Sequence, residues 1–285
     1  MHKLVLFVKT YKGDFDVFKK LLASIIKYNK DNLPVIVSVN NEDFDFFNTE
    51  FRERDFWLIK DQEIENCEME NKWIYQQVIK SQLHKLNVCE NYVCLDSDSY
   101  FIKDFYITDF MYSENIPYTV IHEQKDLFTW SSNKIKSLGA NPKDEYLNDR
   151  KYIMEKLTRK GKIYDFGPSP VIWSTKVWQS FEENYLDQNN ISLKDSLQER
   201  PSEFTWYGEW LLKNNIIPIY PSEPIFKVFH YEKQYNDFLK QKFTLKSLEE
   251  NYLGIVLQSN WNKKKKKYLN FYRYITFTYN EKSKF

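Results

Sequence analysis

The sequence predicts an α/β domain built on a mostly parallel central sheet flanked by helices. Three observations predict it. Short continuous apolar runs recur, each ending in polar or turn-forming residues, as buried strands do. A segment of helical period separates the first two runs. The resulting order, β-α-β-(α)-β, is that of an α/β domain with crossover connections.

Taken in order, "KLVLFVKTYKGD" begins apolar and ends in a polar turn, a strand followed by a loop. "DVFKKLLASIIKY" places Phe18, Leu21, Leu22, Ile25 and Ile26 at helical spacing. "LPVIVSVNNED" is a second strand, opened by proline and closed by Asn-Asn-Glu-Asp, and "DFWLIKDQE" is a shorter third. "NKWIYQQVIKSQLHKLNVC" reads as a helix, with Trp73, Gln76, Gln77 and Lys80 on one face at i, i+3, i+4 and i+7. A face of one Trp, two amides and a Lys is either a partly solvated stripe or a binding surface. "ENYVCLDSDSYFIKDF" is an apolar strand ending in Asp96-Ser97-Asp98, and "IPYTVIHEQ" is another strand. Ser131 to Lys151 is polar without a clear period and reads as a mobile insertion near a site. "DFGPSPVIWSTKVWQSF" combines a loop, a short strand and a helix, and "PSEFTWYGEWLLKNN" is a helix starting near Ser202. "IIPIYPSEPIFKVFHYEKQY" holds two strand pieces broken by prolines. In sheets of this kind ligands bind beyond the carboxyl ends of the strands, which makes the loops after Lys9 and Asn40 candidates for the active rim.

Composition narrows the function classes. At 285 residues the chain fits one large domain or two small ones, with charged residues at 28% and hydrophobic ones at 42%, which excludes a disordered protein. A net charge of +1 provides no global field for nucleic acid. Cys67, Cys89 and Cys94 are odd in number and lack metal spacing, so reduced thiols and a cytoplasmic location are expected. Leu4–Val8 is too short for a signal peptide's apolar region, and no stretch approaches the ~20 apolar residues of a membrane span.

Asp96-Ser97-Asp98 carries three readings. It is a strand-ending turn. It is a pair of carboxylates, pointing the same way along an extended segment, that holds Mn²⁺ or Mg²⁺ on a nucleoside diphosphate. Or it is a phosphatase motif of the haloacid-dehalogenase type, with a nucleophilic first Asp and an acid/base second. That motif usually ends the first strand, whereas here at least two strands come earlier.

Several segments carry a resemblance: the Trp73/Gln76/Gln77/Lys80 helix before "YVCLDSDSYF", then "SPVIW", "SEFTWYGEWL", "FHYE" and "LGIVLQSNW". In this ordered set the chain resembles bacterial GT-A-type glycosyltransferases, within them a group with a domain of unknown function that has a W-x-x-Q-Q-x-x-K helix ahead of its Asp-x-Asp strand. The resemblance runs from Lys3 to about Trp261 and implies a GT-A fold, a nucleotide-sugar donor and a divalent metal held by Asp96 and Asp98. Such folds often add a late His ligand, and His230 matches its position; the plainer reading of His230 is a histidine in an aromatic strand. The loop Lys9-Thr10-Tyr11 with Asp14 matches where such enzymes hold base and ribose. Ser97 and the Trp73/Gln76/Gln77/Lys80 face would then touch the donor, the amides reading hydroxyls and Lys80 offsetting phosphate charge.

For the acceptor side, a helix starting near Ser202 puts Glu203, Tyr207 and Trp210 on one face, an acid among aromatics suited to sugar stacking and a raised pKa. Glu203 is the first candidate for the base that takes the acceptor proton, Glu209 the second and Glu232 the third. The plainer reading of Glu203 is a favourable acid in a first helical turn. The expected activity is transfer of a sugar to a capsule- or lipopolysaccharide-type glycan precursor, free or lipid-linked. The alternatives are the phosphatase and a carbohydrate-binding protein without turnover. Residues 1–237 read as the catalytic domain and 238–285 as an extension packed on it. In that extension Lys263–Lys267 and "YLNFYRYITFTY" suit contact with the inner face of an anionic membrane, or a solvated charge run.

Overall fold

The structure is a computed structural model and describes residues 1–132, 142–241 and 245–258. Lys263–Lys267 and the aromatic tail lie outside the described residues. β1 (His2–Lys9) pairs in parallel with β2 (Val35–Val39) on one side and β4 (Cys89–Asp96) on the other. β3 (Trp57–Lys60) extends the sheet in parallel beyond β2, and β8 (Val171–Ser174) closes the far edge antiparallel to β4. The five-stranded order is β3-β2-β1-β4-β8.

The continuous apolar runs have a direct cause, because both faces of this sheet are covered. In β1, Val5 and Phe7 join a core on one face, while Leu4, Leu6 and Val8 join a second core on the other. β4 splits the same way, Tyr92 and Cys94 against Val93 and Leu95. This is the two-residue alternation of a pleated strand with no solvent face. Helix Phe15–Tyr28 buries Phe18, Leu21, Leu22 and Ile25 against the second core, but Ile26, also at apolar spacing, is 69% exposed. The Asn-Asn-Glu-Asp run that closes β2 opens a helix, Asn41–Glu50, whose N-cap Asn40 accepts the Asp43 N–H at 2.8 Å. The first core is aromatic: Trp206, Tyr207 and Trp210 of helix Glu203–Asn214 join Trp173, Trp178 and Phe181, together with buried residues of helix Lys72–Ser81.

After β4 the chain turns through Ser97 and Asp98 into β5 (Ser99–Phe101), which belongs to another sheet, of order β10-β11-β5. Here β10 (Phe226–Phe229) runs parallel to β11 (Gly254–Leu257), and β5 pairs antiparallel with β11. Strand β11 is therefore an inner strand, and the expected domain limit at residue 237 falls inside helix Glu232–Lys240. β6 (Met111–Ser113), β7 (Ile116–Val120) and β9 (Tyr220–Ser222) form a third small sheet. Among the described residues no helix is long and apolar enough to cross a membrane.

The segment read as a mobile insertion, Ser131–Lys151, overlaps a helix of fifteen residues, Pro142–Lys156. Its inward stripe is Tyr146, Arg150, Ile153 and, just past its end, Leu157, of which Ile153 and Leu157 are fully buried. An Arg in the middle of that stripe hides the period. It is tolerated because Asp165, itself buried, accepts its guanidinium.

Candidate functional site

A cleft of about 1590 Å³ opens where β1 and β4 end side by side, Lys9 being the register partner of Asp96. This is the carboxyl-end crevice of an open α/β sheet. Lys9, Thr10, Tyr11, Asp14, Trp73, Gln76, Gln77, Lys80, Asp96, Ser97, Asp98, Glu203 and His230 all line it.

Hydrogen bonds fix the floor. Lys9 is buried, ion-paired to Asp61 at 3.0 Å, and donates to the Thr10 carbonyl at 2.6 Å. Burial pulls the Lys9 pKa down and pushes that of Asp61 up, each partner opposing the effect in the other. The Ser97 hydroxyl lies 3.1 Å from Thr10 Oγ1 and 3.4 Å from the Lys9 carbonyl, so it tethers the acidic turn to β1. The Asp96 N–H donates to Ser169 Oγ at 3.1 Å, and Ser99 Oγ donates to the Asp96 carbonyl at 2.6 Å. Both bonds hold the backbone and leave the Asp96 carboxylate to other partners.

The Trp-Gln-Gln-Lys helix bridges two acids. Lys80 forms an ion pair with Asp96, and Tyr92 Oη donates to the Lys80 carbonyl at 2.8 Å, fastening the helix to β4. Burial works against the Lys80 charge, but Asp96, Cys94 and Glu203 together outweigh it and its pKa rises. One turn earlier, Gln77 is buried and its Oε1 accepts the Glu203 N–H at 3.4 Å. That N–H is one of the unsatisfied donors of a helix start. Glu203 is 4% exposed. Burial pushes its carboxyl pKa up to about 7, Lys80 opposing and Asp96 adding to the rise. Trp73, in contrast, is 55% exposed and Tyr11 47% exposed, both lining the cleft. Gly13 lets the Tyr11 ring lie close, since a Cβ there would stand 2.3 Å from the ring.

His230 follows β10 directly, its backbone N–H donating to Gln234 Oε1 at 2.9 Å. Its Nδ1 lies 3.2 Å from Tyr146 Oη. Burial pushes its pKa down to about 4, with Asp165 opposing and Arg150 adding to the fall, so the ring is neutral at pH 7.

Four expected residues sit elsewhere. Glu203, Tyr207 and Trp210 do share a helix face, but beyond the first turn that face is turned to the core. The Tyr207 hydroxyl accepts the Ser174 N–H at 2.8 Å beneath Trp173 and Trp178. Trp210 Nε1 donates to Ser180 Oγ at 3.2 Å. Glu209 is fully buried in a two-point ion pair with Arg159, one contact at 2.8 Å. Glu232 lies in the first turn of helix Glu232–Lys240, outside the cleft lining. Sequence reasoning missed Tyr146, Asp149, Arg150, Ser169, Phe204 and Tyr231, all of which line the cleft. Ser169 in the Gly-Pro-Ser-Pro loop, Phe204 in "SEFTWYGEWL" and Tyr231 in "FHYE" sat in segments singled out for the resemblance, whereas Tyr146, Asp149 and Arg150 sat in the aperiodic stretch Ser131–Lys151.

The cleft is acidic. Among the described residues Asp14, Glu42, Glu68, Glu70, Asp96, Asp98, Asp149 and Glu203 face it, against Lys9, Lys72, Lys80 and Arg150. A diphosphate entering alone meets net repulsion; one accompanied by a divalent cation does not. Two carboxylates and a neutral imidazole also suit Mn²⁺ or Mg²⁺ as a donor set. Among the described residues, no three acidic, His or Cys side chains already converge at metal-binding distance.

Comparison with solved structures decides the architecture. The chain superposes on apo WbbM, a bifunctional glycosyltransferase, with a TM-score of 0.50 and 14% identity, over 90% of its own length. The fold is that of the GT-A glycosyltransferases. The apo form of mouse xyloside xylosyltransferase 1 matches with a TM-score of 0.51 and 8% identity, over 91% of this chain and 98% of the xylosyltransferase. The chain spans only 46% of WbbM. No protein-family model and no curated protein sequence matches it.

Proposed function

We propose that the chain is a metal-dependent glycosyltransferase that moves a sugar from a nucleoside-diphosphate donor to a hydroxyl of a cell-surface glycan precursor, of capsule or lipopolysaccharide type. The observation that carries this reading is the meeting, in one strand-end cleft, of Lys80, Asp96, Asp98, Glu203 and His230 from widely separated parts of the chain.

In this reading Asp96, Asp98 and His230 hold Mn²⁺ or Mg²⁺, and that cation supplies charge stabilisation to the departing diphosphate. Lys80 keeps Asp96 oriented and adds a fixed positive charge at the same end of the cleft. Tyr11 and Asp14 suit the nucleoside, a ring for the base and a carboxylate for a ribose hydroxyl. Trp73, exposed at the cleft, offers a face for a sugar ring. Glu203 takes the proton of the attacking acceptor hydroxyl. A base with a pKa of about 7 is part ionised at neutral pH and still strong enough to accept a proton. A single base on the acceptor side corresponds to inversion at the anomeric carbon.

Thermal melts with UDP, GDP and CDP, each with and without Mn²⁺, test the donor class. One nucleotide with Mn²⁺ should raise the melting temperature, and Asp98→Ala should abolish the rise. A rise unchanged in Asp98→Ala would remove the metal role of the pair. Turnover of the matching nucleotide sugar, read as nucleoside diphosphate release, then tests transfer. Phosphate release from simple monoesters would instead point to a phosphatase.

A further inference from the structure

Tyr146 comes from the segment whose sequence shows no period, yet it touches the ring that the proposed function makes a cation ligand. Its hydroxyl lies 3.2 Å from His230 Nδ1, with the two rings edge to face at 88°. The tyrosine is itself braced. The Arg150 guanidinium sits 4.4 Å from the centre of its ring, and Arg150 Nη1 donates to the Tyr146 carbonyl at 3.1 Å. Arg150 Nε donates to buried Asp165 at 3.1 Å, and Asp165 also accepts the Gly167 N–H at 3.4 Å. Two residues on, Ser169 holds the Asp96 N–H. One helix turn thus steadies His230 directly, and it is tied to the loop that holds the backbone of Asp96.

A neutral imidazole carries its proton on one nitrogen, and the bond made by that nitrogen decides which lone pair is left for a metal. Ligating histidines commonly give the other ring N–H to an oxygen, which fixes the tautomer and the ring plane. We propose that Tyr146 is a positioning residue: its oxygen accepts the His230 Nδ1–H and so keeps Nε2 unprotonated, the tautomer in which that nitrogen could ligate a cation. This rests on the reading of His230 as a ligand.

Tyr146→Phe removes the oxygen and keeps the ring beneath Arg150. Two readouts apply to the full-length protein. Nitrogen NMR of labelled histidine reports the His230 tautomer without metal. Titration with Mn²⁺ in the presence of UDP, followed by loss of the free-ion paramagnetic resonance signal, reports affinity. Wild type should carry the proton on Nδ1. The variant should shift it toward Nε2 and bind Mn²⁺ about 10- to 100-fold more weakly at an unchanged metal-free melting temperature. Wild-type His230 protonated on Nε2, or a variant that binds Mn²⁺ as tightly as wild type, overturns the proposal. The wild-type tautomer needs no variant, so the proposal stays exposed even if Tyr146→Phe is unstable. His230→Ala separates the two layers: wild-type Mn²⁺ affinity in that variant would remove the ligand reading itself.

Discussion

Replacing Glu203 by Gln should change the pH dependence of stability by a calculable amount. The carboxyl is buried, and its pKa rises from an ordinary 4.5 to about 7. An acid with a raised native pKa binds its proton more tightly folded than unfolded. Its stabilising contribution is therefore complete below pH 4.5 and is lost as pH rises through 7. Between pH 5 and pH 8 the two pKa values correspond to a loss on the order of 2–3 kcal/mol in unfolding free energy. Gln cannot titrate, so Glu203→Gln should lack that loss, whatever the amide costs at a single pH. Urea denaturation of both proteins at pH 5 and pH 8 supplies the double difference. The same variant should lose at least 100-fold in turnover if Glu203 is the base. A Glu203→Gln protein whose stability falls with pH as steeply as wild type would refute the assignment of a raised pKa to this carboxyl.

Other perturbations separate structure from chemistry. Arg159→Met strands the fully buried Glu209 carboxylate and should cost about 3–5 kcal/mol in urea denaturation, with kcat of the folded fraction unchanged; a near-neutral result would mean that the pair is not structural. Trp73→Ala should leave stability within about 0.5 kcal/mol, because the ring is mostly exposed, and should raise KM for a sugar substrate several-fold; unchanged KM for both substrates would remove Trp73 from the site. Gly208→Ala puts a Cβ about 2.0 Å from the Phe166 ring and should cost about 1–3 kcal/mol by forcing the loop off the helix, read as a lower melting temperature; an unchanged melt would show that the loop yields freely.

What sequence could reveal depended on whether a residue's role left a local signature. β1 and β4 announce themselves because burial on both faces demands unbroken apolar runs. The Trp-Gln-Gln-Lys helix stands out because it lacks an ordinary apolar stripe on that face; the four side chains line a cleft. Tyr207 and Trp210 misled because helical spacing tells which residues share a face and not what the face meets, and here it meets Trp173 and Trp178. Glu209 misled in the same way, since Arg159 lies fifty residues away and nothing local marks the pair. Helix Pro142–Lys156 was hidden by an Arg at a core-facing position, intelligible only once Asp165 is beside it.

The two acids of the Asp-x-Asp turn belong to different frameworks. Asp96 is the last residue of β4, in the five-stranded sheet. The carbonyl of Asp98, two residues later, accepts the Leu257 N–H at 3.1 Å, at the end of the strand that pairs with β5. The gap between the carboxylates is thus a joint spanned by two girders, and the far girder is anchored by some of the last residues described. Loss of β11 would remove that backbone anchor of Asp98 while leaving Lys80, Asp96 and Glu203 on elements outside that sheet. β11 acts as a calliper screw on the site.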